Sequence, residues 1–281
     1  MLKSEFRMGW RRRLTALAVA LLAGSASVAQ QPPAAPRGPI TIKADPRTQQ
    51  RTYAFDKDNP SMSYVVYVSS KVSKTKKAPL VIALHGLGGD ANFLVRERMV
   101  DLAEEGGYIV AGPMGYNVSG WYGSPPIAMN GGGITPPNLA ELSEKDVMNV
   151  LAMMRKEFNV DPDRTYLVGH SMGGAGSLFL GQKHATEWAA VAAIAPAAFM
   201  MERDRAQILG TMQKAGVPVM IIQGDKDPVV PPDNTRHWAE TLKELGMKGQ
   251  YIELPGGDHG TVIADGMPDV FRFFAANVRK H

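Results

Sequence analysis

The chain has no cysteine among its 281 residues. That excludes disulfide staples and thiolate chemistry, so the fold must rest on a packed core; about 250 residues are enough to bury one as a single domain. No apolar run is long enough to cross a bilayer comfortably, which takes roughly 20 residues; the longest candidate, residues 14–23, is short and Ala-rich. Beyond residue 29 there is no charge imbalance. Residues 1–29 carry the whole net charge of +4, and acidic and basic residues are equal in number after them. The high isoelectric point therefore belongs to the N-terminus and gives no argument for a nucleic-acid partner, which needs a basic stripe on the folded domain. No internal repeat is visible, and no second cluster of ligand residues has metal spacing.

What the N-terminus does contain is ordered. Lys3, Arg7, Arg11, Arg12 and Arg13 precede the apolar stretch, and Ser27-Val28-Ala29 follows it. This order predicts a secretory signal peptide over residues 1–29 and an exported, periplasmic or extracellular protein, with no stable membrane insertion after cleavage. Residues 30–46, "QQPPAAPRGPITIKADP", read as a flexible lead-in. Residues 47–281 then read as a single domain.

Within that domain, apolar runs alternate with helical periodicity. "APLVIALHG" (78–86), "YIVAGP" (108–113), "RTYLVGH" (164–170), "WAAVAAIAP" (188–196), "VPVMIIQG" (217–224) and "GQYIELPG" (249–256) read as strands, most of them of the type buried on both faces. "MSYVVYVSS" (62–70) reads as an outer antiparallel strand. Helices are expected over 92–107, 138–160, 233–245 and 268–280. The alternation predicts an α/β fold with a mostly parallel central sheet and helices on both faces. In such sheets, sites lie beyond the carboxyl ends of the strands.

Four strand ends carry the chemistry. They read "HGLGGD", "GHSMGG", "GDKDPVVP" and "PGGDHG" in chain order. Gly169-His170-Ser171-Met172-Gly173 fits G-x-S-x-G, in which a serine sits on a sharp strand-to-helix turn. A serine hydroxyl is a weak nucleophile and needs a base. His259 is the histidine at a strand end after the acid candidates. Of Asp225 and Asp227, the second is favoured as the acid that holds the imidazole, because Pro228 biases it to an extended conformation. Backbone N–H groups of Met172 and Leu87 are the expected oxyanion donors. The order serine, aspartate, histidine is that of the α/β-hydrolase fold.

These stretches resemble the α/β-hydrolases. The likeness over residues 64–279 is strongest to secreted esterases of the polyhydroxybutyrate-depolymerase and feruloyl or acetylxylan esterase type. The resemblance implies a serine carboxylic-ester hydrolase with no cofactor and no metal, an acyl-enzyme on Ser171, and a small-molecule or polymer ester as partner. A serine peptidase of prolyl-oligopeptidase type shares the motif order, but residues 30–60 leave no room for its extra domain. The long Gly/Pro segment 113–138 is expected on the active-site side. There Trp121, Tyr122 and Met129 either line a substrate cleft or pin the loop, and Tyr116 and Asn117 are open in the same way. His170 is taken with Trp121 and Tyr122 as a substrate-binding candidate.

Overall fold

A computed structural model describes residues 42–57, 61–127 and 134–279. The predicted signal segment, most of the lead-in and Met129 lie outside these residues. The apolar runs become the parallel strands β3 (Ala78–Leu84), β4 (Ile109–Pro113), β5 (Val160–His170), β6 (Ala190–Ile194), β7 (Val219–Gly224) and β8 (Gly249–Leu254). Every residue of β3, β4, β6 and β7 is buried, as continuous apolar runs require when both faces are covered. Antiparallel β1 (Gln49–Tyr53) and β2 (Met62–Val68) complete an eight-stranded sheet of order β1-β2-β4-β3-β5-β6-β7-β8.

Two apolar layers flank the sheet. On one side α1 (Glu97–Gly106) and α6 (Thr261–Ala276) pack through Met99, Val100, Val270 and Phe274. On the other, α2 (Leu139–Glu157), α3 (Met172–Lys183), α4 (Arg205–Lys214) and α5 (Pro232–Glu244) cover the second layer with Leu151, Leu178, Leu209 and Trp238. Among the described residues no helix is long and apolar enough to cross a membrane.

The structure corrects several boundaries. Residues 62–68 are antiparallel as expected but not outermost, because β1 pairs outside them. The sequence of β1, QQRTY, is polar and mostly exposed, so no apolar signature marks it. Asp45, placed in the lead-in on sequence, is buried. Its carboxylate accepts hydrogen bonds from Arg47 and from the Glu97 N–H at 2.9 Å, tying the chain to the start of α1. α1 begins at Glu97, since Asn92 and Phe93 close a turn on Asp90. α6 starts at Thr261, with Pro268 inside it. The Asp258 carboxylate accepts from the Gly260 and Thr261 N–H groups and supplies this earlier start. α4 and the 3₁₀ turn Phe199–Asp204 before it are additional elements that the sequence reading does not place.

Candidate active site

The register fixes where the strand ends meet. Leu84 of β3 pairs with Gly169 of β5, and His170 pairs with Ile194 of β6. The turn after β3 therefore lies beside Ser171. At Ser171 the backbone takes φ 55° and ψ −115° before entering α3, a conformation that costs of order 1–3 kcal/mol in a non-glycine residue. The turn is held by its own backbone: Ser171 N–H donates to Ile194, and Ser171 C=O accepts from Ala175 and Ala197.

Such a sharp turn brings main chain onto main chain. A Cβ at Gly169 would sit 2.0 Å from the Gly173 carbonyl oxygen, and one at Gly173 would sit 2.2 Å from the Leu84 oxygen. Backbone cannot move aside as a flexible side chain can. Gly173→Ala is expected to cost about 3 kcal/mol through overpacking, measured by chemical denaturation, and to displace Ser171 from its turn.

His259 follows β8. Its Nδ1–H donates to Asp227 Oδ2 at 2.7 Å. The Asp227 side chain is 0% exposed and that of His259 is 19% exposed, so the acid is sealed while the imidazole reaches solvent. Asp227 also accepts from Gln223 Nε2 and from the N–H groups of Val229 and Val230. Four donors thus meet the roughly four acceptor positions of one carboxylate. Asp225 turns elsewhere and accepts from the Gly256 N–H. Within the described residues, His259 Nε2 and Ser171 Oγ make no hydrogen bond. His259 is brought to the serine turn through His170, whose ring centroid lies 4.6 Å from its own.

The other described histidines are committed. His85 is buried with its ring nitrogens 2.8 Å from the Gly86 and Met114 carbonyl oxygens, and burial pushes its pKa down. His184 meets Glu144, and His237 meets Glu202.

In the turn after β3, the Gly88 N–H donates to Val118 and the Gly89 N–H to Gly86. The Leu87 N–H carries no such bond among the described residues. Nor does that of Met172, the first residue of α3, where an N–H has no partner inside the helix. Both predicted donors are unspent and flank the serine turn.

The structure buries the substrate-binding candidates. Tyr122 is 0% exposed; its N–H donates to Ser143 Oγ, and its ring packs under the segment after β4. Trp121 belongs to the same core. Both aromatics tie the loop to the body of the domain. Tyr116 lies 5.7 Å from the Phe55 ring, and Asn117 caps the Ser119 N–H. His170 is 3% exposed, with Nε2 on the His259 carbonyl oxygen.

One polar anchor escapes the sequence reading. Asp146 is buried on α2, accepting from Tyr53 Oη at 2.5 Å and from the Gly115 N–H at 2.7 Å. Burial raises its pKa, against these hydrogen bonds. It holds the segment after β4, whose Met114 oxygen meets His85. A signal is present: Leu139, Ser143, Asp146 and Val150 form one buried stripe at helical spacing, and two of its members are polar.

Comparison with known proteins now bears on this geometry. The Esterase family model, described as "Putative esterase", matches residues 59–260. The chain belongs to this esterase family. It is 27% identical over 241 residues to "Putative esterase NocK" of Nocardia uniformis subsp. tsuyamanensis, covering 79% of this chain and 66% of that protein. Among solved structures, a thermostable esterase superposes with a TM-score of 0.63 at 21% identity, covering 83% of this chain and 64% of that one. The chain thus spans just under two thirds of the length of each. A ferulic acid esterase of Anaeromyces mucronatus, solved with ferulic acid, gives a TM-score of 0.60 at 19% identity over 82% of this chain and 90% of its own. The architecture is the α/β-hydrolase fold.

Proposed function

We propose that the protein is an exported serine esterase that cleaves carboxylic esters through an acyl-enzyme on Ser171, with His259 as base and Asp227 as its orienting acid. The observation that carries this reading is the His259–Asp227 hydrogen bond of 2.7 Å beside a serine at φ 55°. Membership of the esterase family supports it and gives less support to a peptidase. Export rests on the predicted signal peptide, and the single catalytic domain on residues 47–281.

The chemistry follows from the groups in place. Asp227 fixes the proton on His259 Nδ1, which leaves the Nε2 lone pair free to act. On substrate binding Nε2 closes on Ser171 Oγ; catalytic hydrogen bonds often tighten at that stage. Oγ attacks the ester carbonyl carbon as its proton passes to Nε2. The oxygen that gains charge is held by the Leu87 and Met172 N–H groups, assisted by the N-terminal end of α3. The C–O bond breaks, and the alcohol departs with the proton from Nε2. Water then attacks the acyl carbon, gives its proton to Nε2, and Ser171 leaves with it, freeing the acid. No cofactor is required.

The test is a rapid-mixing experiment with p-nitrophenyl esters from acetate to octanoate and with methyl ferulate. A burst of alcohol equal to the enzyme concentration, with the acyl mass on the Ser171 peptide, is the expected result. The chain-length profile then sizes the acyl pocket. Turnover with no acyl mass on Ser171 under acid quench contradicts the proposal.

A further inference from the structure

The His170 imidazole touches three separate parts of the site. Its Nε2 lies 2.8 Å from the His259 carbonyl oxygen. A carbonyl only accepts, so Nε2 carries the proton and donates. One face stacks on Phe93, with centroids 5.6 Å apart and planes 20° apart. Phe93 in turn lies on the turn after β3: its Cδ2 is 3.0 Å from where a Gly89 Cβ would stand. The ring edge also meets that turn, since a Cβ at Gly86 would lie 3.1 Å from His170 Nδ1. The His259 ring is adjacent, at 4.6 Å and 51°.

We propose that His170 is a positioning residue: its Nε2–H holds the main chain of His259, and its ring locks that base to the oxyanion turn and to the serine turn it precedes. This rests on the esterase reading, in which His259 is the base. The serine, the base and the Leu87 donor sit on three loops with few direct hydrogen bonds between them. His170 adjoins all three, because it is covalently attached to Ser171, bonded to His259 and packed against Gly86.

The charge state suits the task. Burial, and then the neighbouring His259, lower the His170 pKa to about 3. The ring is neutral at working pH, so the imidazolium formed on His259 during acylation faces no second cation. The cost is visible: His170 Nδ1 is buried with no hydrogen-bond partner among the described residues. An unpaired buried polar atom is unfavourable, which packing alone would avoid with an apolar side chain of the same size.

The experiment compares His170→Gln and His170→Phe in the full chain. Glutamine places an amide N–H at similar reach; phenylalanine keeps the ring volume and loses the donor. The acylation rate with p-nitrophenyl acetate is expected to fall about a hundredfold in His170→Phe, the scale of a 1 Å misplacement of a catalytic group. KM should change less than about twofold, and His170→Gln should recover at least about a third of the lost logarithm of rate. In proton NMR, the downfield His259 Nδ1–H signal should broaden in His170→Phe and return in His170→Gln. A His170→Phe enzyme with wild-type acylation and an unchanged signal overturns the proposal. So does equal loss in both variants, which marks His170 as packing only. If the wild type forms no acyl-Ser171, the esterase reading fails by itself, and the NMR comparison still decides whether His170 holds His259.

Discussion

Ser171→Ala is expected to lower kcat on p-nitrophenyl esters about 10⁶-fold, the scale on which a hydrolase loses its activity with its nucleophile. Some residual rate above water should survive, roughly 10³-fold or more, because the proposed oxyanion donors and the binding surface remain. The fold should be unaffected. The Ser171 hydroxyl makes no hydrogen bond within the described residues, and the turn is held by backbone groups that alanine keeps. A change within about 0.5 kcal/mol is expected for a substitution that removes no such feature. Initial rates and a denaturation curve on the same preparation check both halves. A Ser171→Ala enzyme that is well folded and fully active places the nucleophile elsewhere. One that is inactive and unfolded leaves catalysis to be judged on Ser171→Gly, which tolerates the positive φ better.

This separation of chemistry from stability explains how much of the molecule can be read from sequence. The central strands are legible because burial on both faces demands unbroken apolar runs, and Ala78–Leu84 and Val219–Gly224 contain little else. The serine turn is legible because main-chain crowding forces glycine at fixed offsets, at Gly169 and Gly173. Strand β1 is not, because an edge strand with exposed polar side chains satisfies its ladder without any apolar pattern. The start of α6 is displaced in the sequence reading because Pro268 imitates a helix start, whereas the Asp258 cap and the buried Val262 fix it seven residues earlier. The aromatics of the 113–138 segment carry no sign of which way they face. Tyr122 and Trp121 suit a sugar or aryl cleft as well as a core, and only the partnering of Ser143 and the packing around Tyr122 show the core. His170 is visible as part of the motif, but its partner, the carbonyl of His259, lies 89 residues away and no local pattern encodes it.

Asp227→Asn carries the second large effect. The carboxylate uses one oxygen for His259 Nδ1–H and Gln223 Nε2–H, and the other for the Val229 and Val230 N–H groups. An amide has one acceptor oxygen. If that oxygen stays with the two backbone donors, the amide NH₂ faces His259 and needs an acceptor there. The imidazole then moves its proton to Nε2, the atom that takes the serine proton in the proposed mechanism, and the proposed base is silenced. If the amide flips, its NH₂ confronts two backbone N–H groups that cannot move, so the first arrangement wins. The expected fall in kcat is about 10⁴-fold, as for a triad held in the wrong tautomer, with KM within about threefold because no group touching the substrate changes. Stability should fall by roughly 1–3 kcal/mol, since Gln223 Nε2 loses one acceptor in a buried site. Asp225→Asn is the matched control. Asp225 accepts from the Gly256 N–H and pairs at 3.9 Å with the exposed Lys226 ammonium, at the edge of a turn, so the variant's activity should remain within about twofold of wild type. Loss in both variants alike would assign Asp227 to the architecture of the loop after β7. Loss in Asp227→Asn alone, confined to kcat, assigns it to the proton position on His259.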